Sequence, residues 1–213
     1  MDIILDATEV RILGCLIEKE LTTPEYYPLS LNSLTNACNQ KSNRNPIVFF
    51  DEAEVAQGLE GLQAKGLVIK TLTAGSRVTK YRHSILDRFD LSRQEIGILC
   101  ELMLRGPQTM GEIRTRAERM SPFESMEEVE KNLQALMDYA PALVVKLPRE
   151  IGRKECRHMH FFSGSPSHDL SAEPAAPQVT VQERISRLEE ETSRLRSELE
   201  ELKQTFAEFK SQF

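Results

Sequence analysis

The sequence predicts an α+β fold that is mostly α-helical with small β-hairpin wings: tandem winged helix-turn-helix domains plus a C-terminal coiled-coil helix. Three observations predict it. The sequence repeats itself at an offset of 86 residues, each copy ends in an apolar segment and a glycine turn, and residues 181–213 follow a heptad pattern. We therefore divide the chain into a first domain at 1–88, a second at 89–164, a linker at 165–180 and the coiled coil at 181–213.

The first helix of each copy carries the clearest part of the repeat. LDATEVRILGCLIEKE at 5–20 resembles LSRQEIGILCELMLRG at 91–106, and each has the apolar spacing of a helix with one buried face. The positions in register are Leu5/Leu91, Glu9/Glu95, Val10/Ile96, Ile12/Ile98, Leu13/Leu99 and Leu16/Leu102.

A short second helix and a longer third helix follow in both copies. The second helices lie in LSLNSLTNACNQ and TMGEIRTRAERM, and the third in DEAEVAQGLEGLQAKG and SMEEVEKNLQALMDYA. The third helices begin with Asp51 or Ser125, three residues before Glu54 or Glu128. This spacing predicts a capping box, in which each residue of the pair accepts the other's backbone N–H.

Each third helix runs into a predicted hairpin. The first strands are expected at 66–70 and 142–146, and a turn containing Gly75 or Gly152 leads to second strands at 77–83 and 154–162. Three helices closed by a two-stranded hairpin are the elements of a winged helix, so the sequence predicts this unit twice.

Composition limits the function classes. The 213 residues include 27 Lys+Arg and 33 Asp+Glu, a formal charge of −6, which excludes a basic nucleic-acid coat protein. Residues 1–164 contain 21 basic and 23 acidic side chains, and residues 165–213 contain 6 and 10. The net charge is therefore −2 for residues 1–164 and −4 for the tail, so net acidity does not exclude DNA binding by the domains.

The beginning of the chain and its cysteines suggest a cytoplasmic protein. MDIILDATEV has no basic segment ahead of an apolar stretch, and the apolar runs are too short to cross a bilayer, so we expect no membrane association. Cys15, Cys38, Cys100 and Cys156 lack the paired spacing of a zinc or redox site. We predict reduced thiols and no cofactor.

The tail predicts self-association. Heptad a and d positions predict a homodimeric coiled coil, with complementary pairs Arg184–Glu189, Glu191–Arg196 and Glu198–Lys203 in a parallel register. A trimer, an antiparallel pair, and a helix that folds back on its own domains remain alternatives. The predicted seam comprises Ile185, Leu188, Leu195, Leu199, Leu202, Phe206 and Phe209.

Several long motifs occur in one order: GCLIEKELTTPEYYPLSLNSLTNACNQKSNRNP, RVTKYRH, LRGPQTMGEIRTRAERM and the block from Arg149 through HFFSG. In these motifs, residues 5–164 resemble the YceH-like family of bacterial proteins of unknown function. The resemblance implies a tandem winged-helix fold, with no established activity, substrate or catalytic residue. The linker and the heptad tail lie outside it.

Winged helices often bind duplex DNA with the third helix in the major groove and the wing on the backbone. Here the spans 51–65 and 125–138 each carry a net charge of −3, which opposes entry into a groove lined by phosphates. Wings and loops are therefore the predicted phosphate contacts, with scattered surface charge as the competing interpretation. The candidates are Lys41, Asn43, Arg44, Arg77, Lys80, Arg82, Arg114, Arg116, Arg119, Arg153, Lys154 and Arg157.

Two further patterns have competing interpretations. The amides of Asn36, Asn39, Gln40, Asn43 and Asn45 are of the kind that reads adenine edges, but the same residues also cap helices and hold turns. Cys156, His158 and His160 alternate along one predicted strand, a pattern compatible with a metal site but more typical of packing, so no metal is predicted.

The sequence thus supports two hypotheses of function. The first is a non-enzymatic DNA-associated protein, a regulator or architectural factor that touches DNA by its wings. The alternative is a protein-interaction scaffold that does not bind DNA, which the acidic third helices favour. No phosphate-binding loop or nucleophile motif favours an enzyme.

Overall fold

The computed structural model describes residues 3–72, 78–149, 152 and 155–164. Within them the chain is a mixed α/β structure in which the order of three helices and then two strands occurs twice, as predicted. The helices are α1 Ala7–Thr22, α2 Leu31–Cys38, α3 Glu52–Ala64, α4 Arg93–Arg105, α5 Met110–Ala117 and α6 Met126–Asp138, with short 3₁₀ helices at Pro24–Tyr26 and Ile85–Asp87. The strands are β1 Leu29–Ser30, β2 Val68–Thr71, β3 Lys80–His83, β4 Val144–Lys146 and β5 His158–His160.

Both sheets are small and antiparallel. The first has the order β1-β3-β2, with Val68 opposite His83 and Thr71 opposite Lys80, and the second pairs β4 with β5. The sequence did not predict β1, which at two residues is too short to show alternation. The second repeat has a counterpart to β1 in an isolated bridge between Gln108 and His158.

Side-chain caps fix where the helices begin. Capping boxes start α1, α3, α4 and α5, which confirms the box predicted at Asp51 and Glu54. Only one of the two hydrogen bonds of the capping box predicted at Ser125 is formed, so this prediction is wrong in part. Ser125 Oγ accepts the N–H of Glu128, but the Glu128 carboxylate accepts the N–H of Glu124 instead. The φ of Ser125 is −142°, whereas φ is −86° at Asp51, so the backbone enters the two helices in different conformations.

The two repeats share one continuous core, centred where α1 contacts α4. Every residue from Glu9 to Glu18 is buried, so α1 is enclosed on all sides and not on one face as its periodicity predicts. The reason is that α1 packs against its own repeat and against α4. The Cys100 thiol donates to the Gly14 carbonyl at 3.3 Å, and a Cβ at Gly14 would lie 2.9 Å from Leu104 Cδ2. Gly14 thus permits the close approach of the helices.

None of the helices in the described ranges has both the length and the hydropathy needed to span a membrane.

Candidate functional site

The solvent side of the first sheet carries two of the predicted basic contacts. Lys80 and Arg82 alternate along β3 with Tyr81, which packs against the core, and with His83, which is buried. Because side chains alternate across a strand, Lys80 and Arg82 both point away from the core. Thr71 lies opposite Lys80 on the neighbouring strand. We call Lys80 and Arg82 the β3 basic face.

The side of β3 that faces the core is anchored to α1. The His83 N–H donates to Tyr27 Oη at 2.7 Å, and the His83 ring contacts the Glu20 carboxylate. The contact with the His83 ring and the nearby Arg82 guanidinium lower the pKa of Glu20, while burial raises the pKa of Tyr27 well above its usual range. Tyr27 therefore remains a neutral phenol, and the β3 basic face has a fixed orientation on the first helix.

Arg44 is not a surface contact, and its predicted role as a nucleic-acid contact is wrong. Its side chain is fully buried, and its Nη1 and Nη2 donate to the two carboxylate oxygens of Glu18 at 3.2 and 2.6 Å. It also donates to the Ala37 carbonyl at 3.0 Å. A buried carboxylate needs a buried cation, so Arg44 is held inside the fold by Glu18.

The arginines predicted in the second repeat are surface groups that also make structural contacts. The exposed fraction of the side chain is 42% for Arg119 and 35% for Arg116. Their described partners are Glu18 for Arg119, Gln108 and Glu112 for Arg116, the Glu124 carbonyl for Arg114 and the Pro107 carbonyl for Arg157.

The remaining predicted contacts divide between the surface and the part of the chain that is not described. Lys41 is exposed, and Asn43 is half-buried with a left-handed φ of 59°. Predictions for the undescribed residues stay predictions. Those residues are Arg77, Arg153 and Lys154, and the coiled-coil seam of Ile185, Leu188, Leu195, Leu199, Leu202, Phe206 and Phe209.

The amide-rich segment before α3 holds a turn. Asn39 Nδ2 donates to the Phe50 carbonyl at 2.7 Å, and Asn39 Oδ1 accepts the Phe50 N–H at 2.8 Å, so one side chain closes the loop from 39 to 50. The Asn45 N–H donates to the Leu104 carbonyl at 2.9 Å, and Asn43 accepts a hydrogen bond from Arg105. These bonds favour the turn-holding interpretation of the amides over base reading.

Both third helices present acid to solvent, as their composition predicts. Asn32 Nδ2 donates to the Glu52 carboxylate at 3.1 Å, so α2 contacts this acidic surface. Such a surface repels phosphate, which disfavours insertion of α3 or α6 into a DNA groove. The exposed acids are Asp51, Glu52, Glu54 and Glu60 on or next to α3, and Glu127, Glu130 and Asp138 on α6.

The histidines of β5 belong to the packed interior. Both His158 and His160 are buried, and burial lowers the pKa of His158 and lowers that of His160 to about 4. Both rings are therefore neutral at physiological pH. Over the described ranges, no three His, Cys, Asp or Glu side chains are grouped so as to hold a metal ion.

Comparisons with known proteins identify the family. The family described as "Protein of unknown function, DUF480" matches residues 5–153. The chain belongs to the DUF480 family. This confirms the resemblance to YceH-like proteins, which form the same family. Among its relatives, a UPF0502 protein of Geotalea uraniireducens is 52% identical and one of Geobacter sulfurreducens is 53% identical, each over all of both chains. A UPF0502 protein of Koribacter versatilis is 54% identical over 82% of this chain and 80% of its own.

The full-length alignments change one sequence-based conclusion about this DUF480 protein. The motifs quoted above end at residue 164, whereas the Geotalea and Geobacter relatives align over the whole chain, including the tail. The tail is therefore shared with these relatives.

Sequence reasoning missed the polar groups between the repeats of this DUF480 protein. Glu18, Glu101 and Gln108 are all buried, and each contacts an arginine: Glu18 contacts Arg44, Glu101 contacts Arg105 one turn later in α4, and Gln108 contacts Arg116. The available signal was a carboxylate inside each apolar first helix, since a charged residue at a buried position needs a partner. The spacing of Glu101 and Arg105 was readable from the sequence, whereas the partner of Glu18 depends on how the chain folds.

Proposed function

We propose that this DUF480 protein is a non-enzymatic, tandem winged-helix protein that binds duplex DNA through its wings. The observation that carries the proposal is the β3 basic face, where Lys80 and Arg82 point away from the core on the hairpin that follows the third helix.

The order of elements supports the winged-helix part of the proposal. Each repeat has three helices followed by an antiparallel hairpin, and β1 adds the short third strand to the first sheet. In proteins of this type the hairpin is the wing, which lies beside the DNA backbone when the protein is bound.

The distribution of charge supports contact by the wing. The exposed side of α3 is acidic, whereas β3 presents an ammonium and a guanidinium two residues apart. Lysine and arginine are both common phosphate contacts. Because these groups reach phosphates and not bases, the proposal predicts binding with weak sequence preference and strong salt dependence.

The test compares DNA affinity of the double variant K80Q/R82Q with that of wild type, by fluorescence anisotropy with a labelled duplex at low salt. We expect the double variant to bind at least about tenfold more weakly, because it loses two phosphate contacts. K131Q is the matched control, since Lys131 is an exposed cation on α6 of the second repeat, whereas Lys80 and Arg82 lie on β3 of the first. Equal affinity of K80Q/R82Q and wild type would overturn the proposal, as would the absence of binding by wild type.

A second candidate function, a protein-interaction scaffold, is favoured by an apolar surface on the loop before α3. Phe49 is 76% exposed and Ile47 is 50% exposed, next to the acidic start of α3. Exposed apolar side chains beside charged ones are typical of protein-binding surfaces. A photo-crosslinking residue placed at position 49 in cells tests this candidate. A specific adduct with another protein at position 49, and none at position 131, would support a scaffold, whereas equal labelling at both positions would count against it.

A further inference from the structure

Three arginines lie near the junction of the two repeats, where Arg119 contacts Glu18 and Arg105 contacts Asn43 of the first repeat. Arg105 is the last residue of α4, Arg116 is in the last turn of α5, and Arg119 follows α5. All three side chains reach solvent, with exposed fractions of 19%, 35% and 42%. We call them the arginine cluster.

Two members of the arginine cluster donate hydrogen bonds to buried polar groups. Arg119 donates to the fully buried Glu18, and Arg116 Nη1 donates to Gln108 Oε1 at 2.9 Å. Gln108 Nε2 in turn donates to the Glu101 carbonyl at 3.0 Å. The arginines are therefore attached to buried groups on α1 and α4 and do not lie free on the surface.

The hydrogen bonds of Arg105 are less complete than those of Arg116 and Arg119. Its guanidinium donates to Asn43 of the 39–50 loop, and its Nε lies 3.0 Å from Glu101 Oε2. The Nε and Oε2 atoms are misaligned, so neither makes a hydrogen bond within the described part of the chain.

Positive charge exceeds negative charge around the cluster. Burial lowers the pKa of Arg105, Glu101 raises it, and the positive charges of Arg116, Arg119 and Arg44 lower it further. Burial also raises the pKa of Glu101, which weakens the nearest compensating carboxylate. In the ion pairs around the cluster, Arg44 and Lys19 join the three arginines of the cluster, against the carboxylates of Glu18, Glu101 and Glu112.

We infer that the arginine cluster is a binding site for a phosphate group. A guanidinium has five N–H donors in a planar fork that matches phosphate oxygens. The described contacts use only part of this capacity, since Arg119 donates through Nη2 and Arg116 through its two terminal nitrogens. A dianion placed among the three side chains accepts the remaining donors and removes the mutual repulsion.

Two sources supply such a group: the backbone of a nucleic acid, or a free phosphorylated small molecule. The first source extends the proposed DNA interface from the β3 basic face to the junction of the repeats, and in that form the inference rests on the proposed function. The second makes the cluster an effector site that does not depend on DNA binding.

The test uses isothermal titration calorimetry of the full chain with inorganic pyrophosphate as the probe, at ionic strength held constant with chloride. We expect saturable binding to wild type, and at least about tenfold weaker binding to R116Q/R119Q, because two charged hydrogen-bonding groups are lost. Arg105 is left unchanged because its substitution would leave the buried Glu101 without its ion-pair partner. R93Q is the matched control, since Arg93 is exposed and donates to a carbonyl outside the cluster, that of Met120.

Equal binding by wild type and R116Q/R119Q overturns the inference, and so does the absence of saturable binding to wild type. If R116Q/R119Q does not fold, R116K/R119K replaces it. Lysine keeps the charge and loses the planar fork, so weaker pyrophosphate binding by the lysine variant supports the inference and unchanged binding overturns it.

Binding measurements with duplex DNA distinguish the two sources of the phosphate group. If the phosphate belongs to DNA, pyrophosphate competes with the duplex and R116Q/R119Q weakens duplex binding. If it belongs to a small molecule, R116Q/R119Q keeps its duplex affinity. Pyrophosphate binding that persists in K80Q/R82Q shows that the cluster functions even where the proposed DNA interface has been removed.

Discussion

Glu18 and Arg44 form a fully buried ion pair, in which Arg44 Nη2 donates to Glu18 Oε2 at 2.6 Å and both side chains have 0% exposure. Glu18 lies near the end of α1 and Arg44 lies in the 39–50 loop, so the pair ties the loop to the central helix. Arg119 brings the second repeat to the same carboxylate. One buried carboxylate thus joins three parts of the chain.

Glu18→Gln is expected to destabilise the protein strongly at neutral pH. The substitution leaves Arg44 buried without a counter-ion, and breaking a buried pair in this way typically costs about 3–5 kcal/mol. Burial by itself raises the pKa of Glu18, but the hydrogen bonds from Arg44 and the charges of Arg44, Lys19 and Arg119 lower it overall. Urea unfolding of the variant and of wild type measures the difference.

The effect of Glu18→Gln is expected to depend on pH. Because the folded-state pKa of Glu18 is lowered, its contribution is fully present above the pH where an unfolded glutamate titrates, about 4.3. The contribution is lost as the pH falls through the folded-state pKa. The stability difference between wild type and variant should therefore shrink in acid. A difference that stays constant from neutral to acidic pH would show that the charge of Glu18 is not what stabilises the fold.

Glu101→Gln is expected to change stability with the opposite dependence on pH. Burial raises the pKa of Glu101, so folding opposes its ionisation and the wild type loses stability as the pH rises through the range between its unfolded and folded pKa. At neutral pH the variant should be as stable as wild type, within about 1 kcal/mol, or more stable. Urea unfolding of the Glu101→Gln variant measures the difference in stability. A loss as large as that caused by Glu18→Gln would contradict the prediction that folding opposes the ionisation of Glu101.

Gly14→Ala is expected to loosen the contact between α1 and α4. The added Cβ would lie 2.9 Å from Leu104 Cδ2 and 3.2 Å from Met103 Cβ, and overpacking of this kind costs about 1–3 kcal/mol. Gly111→Ala is the control, because a Cβ on this exposed position of α5 meets nothing within 4 Å. Alanine there should stabilise the helix by about 0.5–1 kcal/mol. Thermal unfolding of both variants should thus give shifts of opposite sign.

Patterns local to one element were predictable from the sequence. Leu13 and Leu99, which are in register in the repeat, are both fully buried, as the apolar spacing of the two first helices predicts. Contacts between distant segments were not predictable in this way. Arg44 was expected at the surface because a lysine or arginine in a polar loop is usually solvated, and only the fold reveals the carboxylate beneath it.

The candidate site was predicted in part. The strand alternation that places Lys80 and Arg82 on one face was available from the sequence, since period-2 alternation fixes the face of every residue in a strand. The junction of Arg105 with Arg116 and Arg119 was not, because it depends on α4, α5 and the 39–50 loop meeting in space.

We propose that residues 181–213 form the predicted coiled coil and join two chains in a homodimer. We expect the full chain to sediment as a dimer at micromolar concentration and a chain ending at Gly164 to sediment as a monomer. E191K/E198K should weaken the dimer, since in a parallel pair Glu191 faces Arg196 and Glu198 faces Lys203. The charge-preserving variant E191D/E198D is the control. Monomeric behaviour of both chain lengths would refute the zipper.

The most direct test of the central claim is the salt dependence of duplex binding by the full chain. Wild-type affinity should fall steeply as salt rises from about 50 to 200 mM, and the slope of log affinity against log salt should be shallower by about 1–2 in K80Q/R82Q, because each lost phosphate contact removes close to one unit. An unchanged slope in K80Q/R82Q would contradict the claim that the first wing contacts DNA.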